Sequence, residues 1–342
     1  METYLKSCWK TFFAAALLSA VLSTHAADAP PTFADDPAVV DFARDLEQRQ
    51  GFDAAELLGQ FARIRPNARV LQLIEPPATP QQRSWERYRS RFVNERRINN
   101  GVRFWQEHSA TLARARVFYG VPEEIIVAII GVETEYGRNT GGFGVFEALA
   151  TLAFQYPRRA EFFRTELEQF LLLARENHLD PLTVKGSYAG AIGVPQFMPG
   201  SQRRFAVDFD GDGRVDLSGS IDDAIGSVAR FLEQHGWQPG QPIAAPARLP
   251  GDPDPAWLEA GILPSLPVGQ WRERGVITAA DPQAAAALID LVSPGQATEY
   301  WLGFDNFYVI TRYNRSSFYA MSVFQLAEAI RERMAEGENA KQ

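Results

Sequence analysis

The chain has 342 residues, of which 46% are hydrophobic and 22% charged, and its formal net charge is −8. This is ordinary globular composition, which excludes a disordered or a membrane-spanning chain. The negative balance argues against a nucleic-acid partner, since affinity for nucleic acid comes mainly from neutralised phosphates.

The N-terminus places Lys6 and Lys10 before an apolar run from Phe12 to Leu22, followed by small residues at Ala26 and Ala27. That is the pattern of a secretory signal peptide spanning residues 1–26, cleaved after Ala26 or Ala27. The competing reading is an uncleaved anchor helix, for which the apolar run is short. Cys8, the only cysteine, precedes the run. The processed chain would therefore have neither a disulfide nor a thiol nucleophile, and no lipid-bearing cysteine. The four histidines, His25, His108, His178 and His235, show no HExxH spacing, which speaks against a zinc hydrolase.

Helical signals follow. In "DDPAVVDFARDLEQRQG", Asp36 is placed as cap, Pro37 at the first helical position and Gly51 just past the end. Asp53 and Glu56 occupy capping-box positions in the next segment, with Phe52 and Leu57 spaced as a hydrophobic staple. The charged and aromatic stretch from Arg83 to Gly120 reads as helical with a break near Asn99 to Gly101. "RRAEFFRTELEQFLLLARENHL" puts Phe162, Phe163, Leu167, Phe170, Leu171 and Ala174 on one broad face. The first 240 residues are thus mainly helical. From Pro242 to Pro294 prolines are dense, and "YWLGF" and "FYVITRY" read as short strands. A final amphipathic helix begins at Ser316 or Ser317.

Three stretches carry chemistry. In "PEEIIVAIIGVETEYG", Glu133 continues the apolar face of Ile126 and Ile129, while Glu135 points elsewhere. A carboxyl group among such residues loses hydration when charged, so its pKa rises and it can act as a general acid. The plainer alternative is a glutamate that caps a helix end or bridges to an arginine. "KGSYAGAIGVPQFMPGS" gathers Gly186, Gly190, Gly193 and Gly200 around Ser187 and Gln196, a backbone that could approach a ligand closely or simply pack as a turn of small residues. "DFDGDGRVDLSGSIDDAI" matches the start of an EF-hand calcium loop, with Asp208, Asp210 and Asp212 at positions 1, 3 and 5, Gly213 at 6 and the Arg214 carbonyl at 7. Gly219 stands at position 12, so the last ligand would come from Asp222 or Asp223, of which Asp223 is favoured; the alternative is a solvated acidic turn.

Together these motifs, with "AIGSVARFLEQHGW" and "ITRYNRSSFYAMSV", resemble the MltB-type lytic transglycosylases, which cleave the glycan strands of peptidoglycan in the periplasm. The resemblance implies a mainly α (α+β) fold: an N-terminal helical domain over 27–115, a lysozyme-like catalytic core over 116–241 with a calcium loop at 208–223, a small β-containing insert over 242–305, and a C-terminal segment over 306–336 that returns to the cleft. It implies Glu133 as the catalytic residue, with Ser187, Gln196, Tyr313 and Asn314 at the sugar. Tyr88, Arg158, Arg159 and Tyr319 are further substrate contacts by the same resemblance. It also implies a structural Ca2+, no organic cofactor, and peptidoglycan and other cell-wall enzymes as partners in the periplasm. Anchored members of the family carry a lipidated cysteine after the signal and this chain has none, so it reads as a soluble periplasmic form. In that scheme Glu133 serves as acid and then as base, leaving 1,6-anhydromuramic ends. Two other readings stay open at this stage: a hydrolytic muramidase using Asp180 or Glu135 as a second carboxylate, and a non-catalytic glycan-binding protein of the envelope. A calcium buffer would need paired EF-hands, and the sequence has one.

Overall fold

The computed structural model describes residues 32–76 and 83–339. The signal segment, with Cys8, lies outside them. Among the described residues no helix is long and apolar enough to cross a membrane.

The first helices form where their end signals stand. Helix α1 (Pro37–Gln50) starts with the Asp36 carboxylate accepting the Ala38 N–H at 2.9 Å and stops at Gly51, whose φ of 66° is left-handed. Helix α2 (Ala54–Phe61) is capped by Asp53, which accepts from the Ala55 and Glu56 amides. Helix α3 is Ala68–Ile74. These three pack with α8 (Val145–Gln155) and α9 (Ala160–Glu176) around Phe61, Phe146 and Phe170. Leu57 is buried in this core and Phe52 packs against it. Phe162 is 39% exposed, outside the buried face of α9 to which its spacing assigned it.

A larger core is built from α4 (Trp85–Phe92), α5 (Glu95–Glu107), α6 (Ser109–Tyr119), α7 (Glu123–Thr134), α11 (Ile221–Gln234), α14 (Asp305–Tyr313) and α15 (Ser317–Asn339). Helix α10 is Pro199–Phe205. The charged stretch breaks at Val93–Asn94 and at His108, not near Asn99 to Gly101. Asn94 caps α5 through the Arg97 N–H. Gly101 sits inside α5 for another reason: a Cβ there would lie 2.5 Å from Ile330 Cδ1 and 2.6 Å from the Tyr136 hydroxyl, so its absence lets α15 approach.

The proline-rich segment carries an antiparallel sheet in the order β3 (Ala244–Ala247), β6 (Glu299–Gly303), β5 (Ala285–Leu291), β4 (Leu266–Pro267), with α12 (Pro255–Glu259) and α13 (Val268–Glu273) beside it. Strand β5 is buried on both faces. Ala287, Ile289 and Leu291 join the large core, whereas Ala286 and Leu288 join a small core with Trp271 and Leu302. This strand thereby locks the insert to the helical body, and the Val292 carbonyl beyond it accepts the Trp85 N–H at 2.8 Å. "YWLGF" contributes β6, but "FYVITRY" forms α14. Its β-branched and aromatic residues favour a strand locally, and burial of Phe307 and Ile310, one turn apart, overrides that preference. Asn306, wholly buried, donates to the Gln238 and Gln241 carbonyls and accepts the Gln238 N–H, which pins the start of the helix. Ser316 opens α15 by accepting the Tyr319 N–H.

Two glycine variants test this packing. Gly59 of α2 has nothing within 4 Å of a Cβ, so Gly59→Ala should raise the melting midpoint through helix propensity worth about 0.5–1 kcal/mol. Gly101→Ala should lower it by overpacking, at a cost of about 1–3 kcal/mol. Calorimetry that ranks the two the other way would refute the close α5–α15 approach.

Candidate active site

Helix α7 is apolar on all sides, with Ile125 to Val132 buried without interruption, so it runs through the large core and not along its surface. Its last turn delivers Glu133 to the edge of that core. The carboxyl Oε1 accepts the Tyr319 hydroxyl at 2.6 Å. Tyr319 is stacked on Tyr313 with the rings 6.4 Å apart and 14° from parallel, and the Tyr313 hydroxyl donates to the Pro195 carbonyl at 2.6 Å. Burial first, and then the nearby Glu133 charge, pushes the Tyr88 phenol above its usual range. Among the described residues no ion pair is made to Glu133. Burial pushes its carboxyl up to about 7, and the Tyr319 hydrogen bond works in the opposite direction by favouring the charged form. Tyr313 and Tyr319 are themselves held well above the usual phenol range, by burial first and then by Glu133.

Glu135 has the duller role considered for a helix-end glutamate. It is 6% exposed and pairs with Arg96 at 2.9 Å. It also adopts a left-handed φ of 51°, and Tyr136 follows at 62°. The Glu135 N–H reaches the Gly131 carbonyl and the Tyr136 N–H the Ile130 carbonyl, closing α7 in a left-handed turn with glutamate where glycine is usual. The Tyr136 hydroxyl donates to the Arg97 carbonyl at 2.9 Å, and the Arg97 guanidinium donates to the Gly131 carbonyl at 2.8 Å. Arg96, Arg97 and Tyr136 thus hold a strained turn in place directly after Glu133. Asp180 is exposed and accepts the Leu182 N–H in a turn of its own.

The glycine-rich segment begins in β2 (Lys185–Gly186), which pairs with β1 (Phe143–Gly144). It continues through hairpin-like bridges that join Gly186 to Ile192 and Ile192 to Phe197. Gly186 is required sterically, because a Cβ would lie 2.2 Å from the Ala191 carbonyl oxygen. Ser187 is half-buried and its Oγ accepts the Ala191 N–H. Gln196 has a left-handed φ of 52°, and its amide donates to the Thr140 and Gly193 carbonyls. Tyr313 and Thr134 bind consecutive carbonyls of this loop, Pro195 and Val194. The loop is therefore brought against the Glu133 cluster. Asn314 is exposed at the end of α14. Arg158 pairs with Glu75 at 3.8 Å and Arg159 lies over Phe162, so the contacts of both arginines are made beside the smaller helical core. Thr134, Arg96 and Arg97 escaped the sequence reading, which looked for carboxylates; their roles are set by partners far away in the chain.

In the acidic loop, one carboxylate oxygen from each of Asp208, Asp210 and Asp212 falls within a mutual distance of 4.8 Å. These hard oxygens, with the Arg214 carbonyl at the seventh position, match the donor chemistry that Ca2+ prefers. Asp223 is buried, and its two oxygens accept the Phe209, Asp210 and Asp216 amides. It ties the start of the loop to its middle at Asp216. Asp222 instead accepts the Thr111 hydroxyl of α6, away from the loop.

Comparison with known proteins places this geometry. Residues 34–328 match the family model described as "Transglycosylase SLT domain". The chain is 42% identical over 317 residues to membrane-bound lytic murein transglycosylase B of Escherichia coli K12, covering 87% of this chain and 84% of that protein. Among solved structures it is similar to the soluble lytic transglycosylase SltB1 of Pseudomonas aeruginosa, at 47% identity and a TM-score of 0.80, over 87% of this chain and 99% of the other. It is also similar to the Escherichia coli lytic transglycosylase Slt35 in complex with calcium, at 41% identity and a TM-score of 0.80, over 90% of this chain and 96% of the other. A helical core that carries one carboxyl group at the end of a buried helix, matched along nearly its whole described length, belongs to the MltB-type lytic murein transglycosylases, lysozyme-like lyases of peptidoglycan.

Proposed function

We propose that this chain cleaves the β-1,4 bond between N-acetylmuramic acid and N-acetylglucosamine in peptidoglycan without water, with Glu133 as its single acid and base. The observation that carries the reading is the Glu133 carboxyl itself: held in an apolar and phenolic setting, without an ion pair among the described residues, and pushed up to about 7. Such a group keeps its proton near neutral pH and can give it to the glycosidic oxygen as the bond breaks. The substrate acetamido oxygen stabilises the anomeric carbon, the substrate-assisted exception to the two-carboxylate scheme. Glu133, now a carboxylate, takes the proton of the muramyl 6-hydroxyl as that oxygen closes on C1. One proton is given and one returned, and the product end is 1,6-anhydromuramic acid. The placements of Glu135 in an ion pair and of Asp180 in an exposed turn support this scheme over a hydrolytic one.

Ser187, Gln196 and Asn314 bind sugar, with Tyr88, Tyr313 and Tyr319 lining the site; Tyr319 also steadies the carboxylate in its charged stage. Arg158 and Arg159 contact more distant parts of the substrate. Asp208, Asp210, Asp212, Arg214 and Asp223 form an EF-hand-like loop for a structural Ca2+, in line with the calcium complex of the similar Escherichia coli enzyme. When bound, the ion cancels the mutual repulsion of three carboxylates and takes no part in bond cleavage. The protein acts in the periplasm after export.

Measurements of turnover, products, pH dependence and melting test this scheme. Glu133→Gln should lower turnover by about 10²–10⁴-fold or more while glycan binding persists, and mass spectrometry of wild-type products should show anhydromuramyl ends. Reducing ends, heavier by one water, would make the enzyme a hydrolase. The acid form is lost as pH rises through about 7, so kcat/KM should fall across that range. Tyr319→Phe removes a bond that favours the charged carboxylate and should move the same limb to higher pH; a limb unmoved by both Tyr319→Phe and Glu133→Gln would assign it to another group. Added Ca2+ should raise the melting midpoint and a chelator should reverse the gain, whereas superimposable melting curves would count against the ion.

A further inference from the structure

The peptide groups of Val194 join three parts of the protein. Its N–H donates to the Leu217 carbonyl, within the segment between Asp208 and Asp223, at 2.8 Å. Its carbonyl accepts the Thr134 hydroxyl at 2.8 Å, a shorter approach than the 3.3 Å between that hydroxyl and the Ile130 carbonyl, so the single proton is spent on Val194. Thr134 is the residue after Glu133 in the last turn of α7, and its side chain is wholly buried. The same oxygen accepts the Gly137 N–H at 3.0 Å, which secures the left-handed turn of Glu135 and Tyr136. One residue past Val194, the Pro195 carbonyl accepts from Tyr313, whose ring stacks on the partner of Glu133. Gly193 is pressed so closely on Leu217 that a Cβ would lie 2.4 Å from its carbonyl oxygen, so the loop cannot relax on that side.

We infer that Thr134 is a positioning residue whose hydroxyl sets the distance between Glu133 and the Gly193–Gln196 loop. The inference rests on the proposed roles of Glu133 as acid and of that loop at the sugar. Thr134 supplies a short, rigid hydroxyl on the catalytic helix that makes the sugar-side loop and the carboxyl move as one body. Misplacement of reacting groups by about 1 Å can cost on the order of a hundredfold in rate. A valine at this position keeps the shape and loses the hydroxyl, while a serine keeps the hydroxyl and loses only a methyl group.

The test compares Thr134→Val and Thr134→Ser on a purified oligosaccharide of alternating N-acetylglucosamine and N-acetylmuramic acid, well below the melting midpoint of each variant. Thr134→Val should lose on the order of ten- to a hundredfold in kcat/KM with native circular dichroism and with the pH limb near 7 in place, and Thr134→Ser should recover to within about threefold of the parent. In a Glu133→Gln background, adding Thr134→Val should weaken binding of the same oligosaccharide. Parental kcat/KM in Thr134→Val, or equal loss in both variants, would overturn the inference. Retained turnover in Glu133→Gln alone would instead overturn the acid–base reading, and the binding comparison would still decide the position of the loop.

Discussion

Keeping one carboxyl group at the end of a helix that is buried on every side is the demand around which this protein is arranged. Water would stabilise the charged form of Glu133 and abolish its capacity to act as an acid near neutrality. Helix α7 prevents this by running through the interior, so that the Glu133 side chain emerges beside Tyr88, Tyr313 and Tyr319, while Arg96 and Arg97 engage the neighbouring Glu135 carboxylate and Gly131 carbonyl. Phenols suit the task because they are weakly polar, they donate hydrogen bonds, and in this setting they do not ionise. They moderate the charge of the carboxylate without cancelling it, as a guanidinium would.

Stopping a helix abruptly at such a place is costly. The chain turns left-handed at Glu135 and Tyr136, residues without glycine's freedom, at about 1–3 kcal/mol each. The surrounding structure offsets that strain with an ion pair from Arg96, a carbonyl contact from Tyr136 to Arg97 and the amide of Gly137 on Thr134. The missing side chains of Gly101 and Gly131 leave room for the Tyr136 ring. Elements far apart in the chain therefore cooperate to present one residue, and the same logic extends through Val194 to the acidic loop. A cation held there would stiffen the segment that carries Leu217, and Leu217 holds the loop beside Glu133.

Much of this was legible in the chain itself. The caps of α1 and α2, the mainly helical course of the described residues up to 240, strand β6 and the apolar face bearing Glu133 follow from local chemistry: capping side chains, glycine at helix ends and the 3.6-residue period. The spacing of Asp208, Asp210 and Asp212 is equally local, since three carboxylates within five residues converge through backbone geometry. These features depend on neighbours a few residues away, and so the sequence alone could determine them.

Tertiary contacts decided the rest. The segment "FYVITRY" has the composition of a strand and is a helix, because Phe307 and Ile310 find a core and Asn306 finds the carbonyls of Gln238 and Gln241. Gly101 resembles a helix breaker and is a contact point, because Ile330 and Tyr136 arrive from elsewhere. Glu133 and Glu135 are two residues apart in one motif. Only the fold separates their roles: the phenol that meets Glu133 comes from residue 319 and the guanidinium that meets Glu135 from residue 96. The sequence determined which groups could carry the chemistry; the packing of distant helices determined which carboxyl group was left in the apolar setting, because desolvation and pairing depend on neighbours that sequence order does not specify.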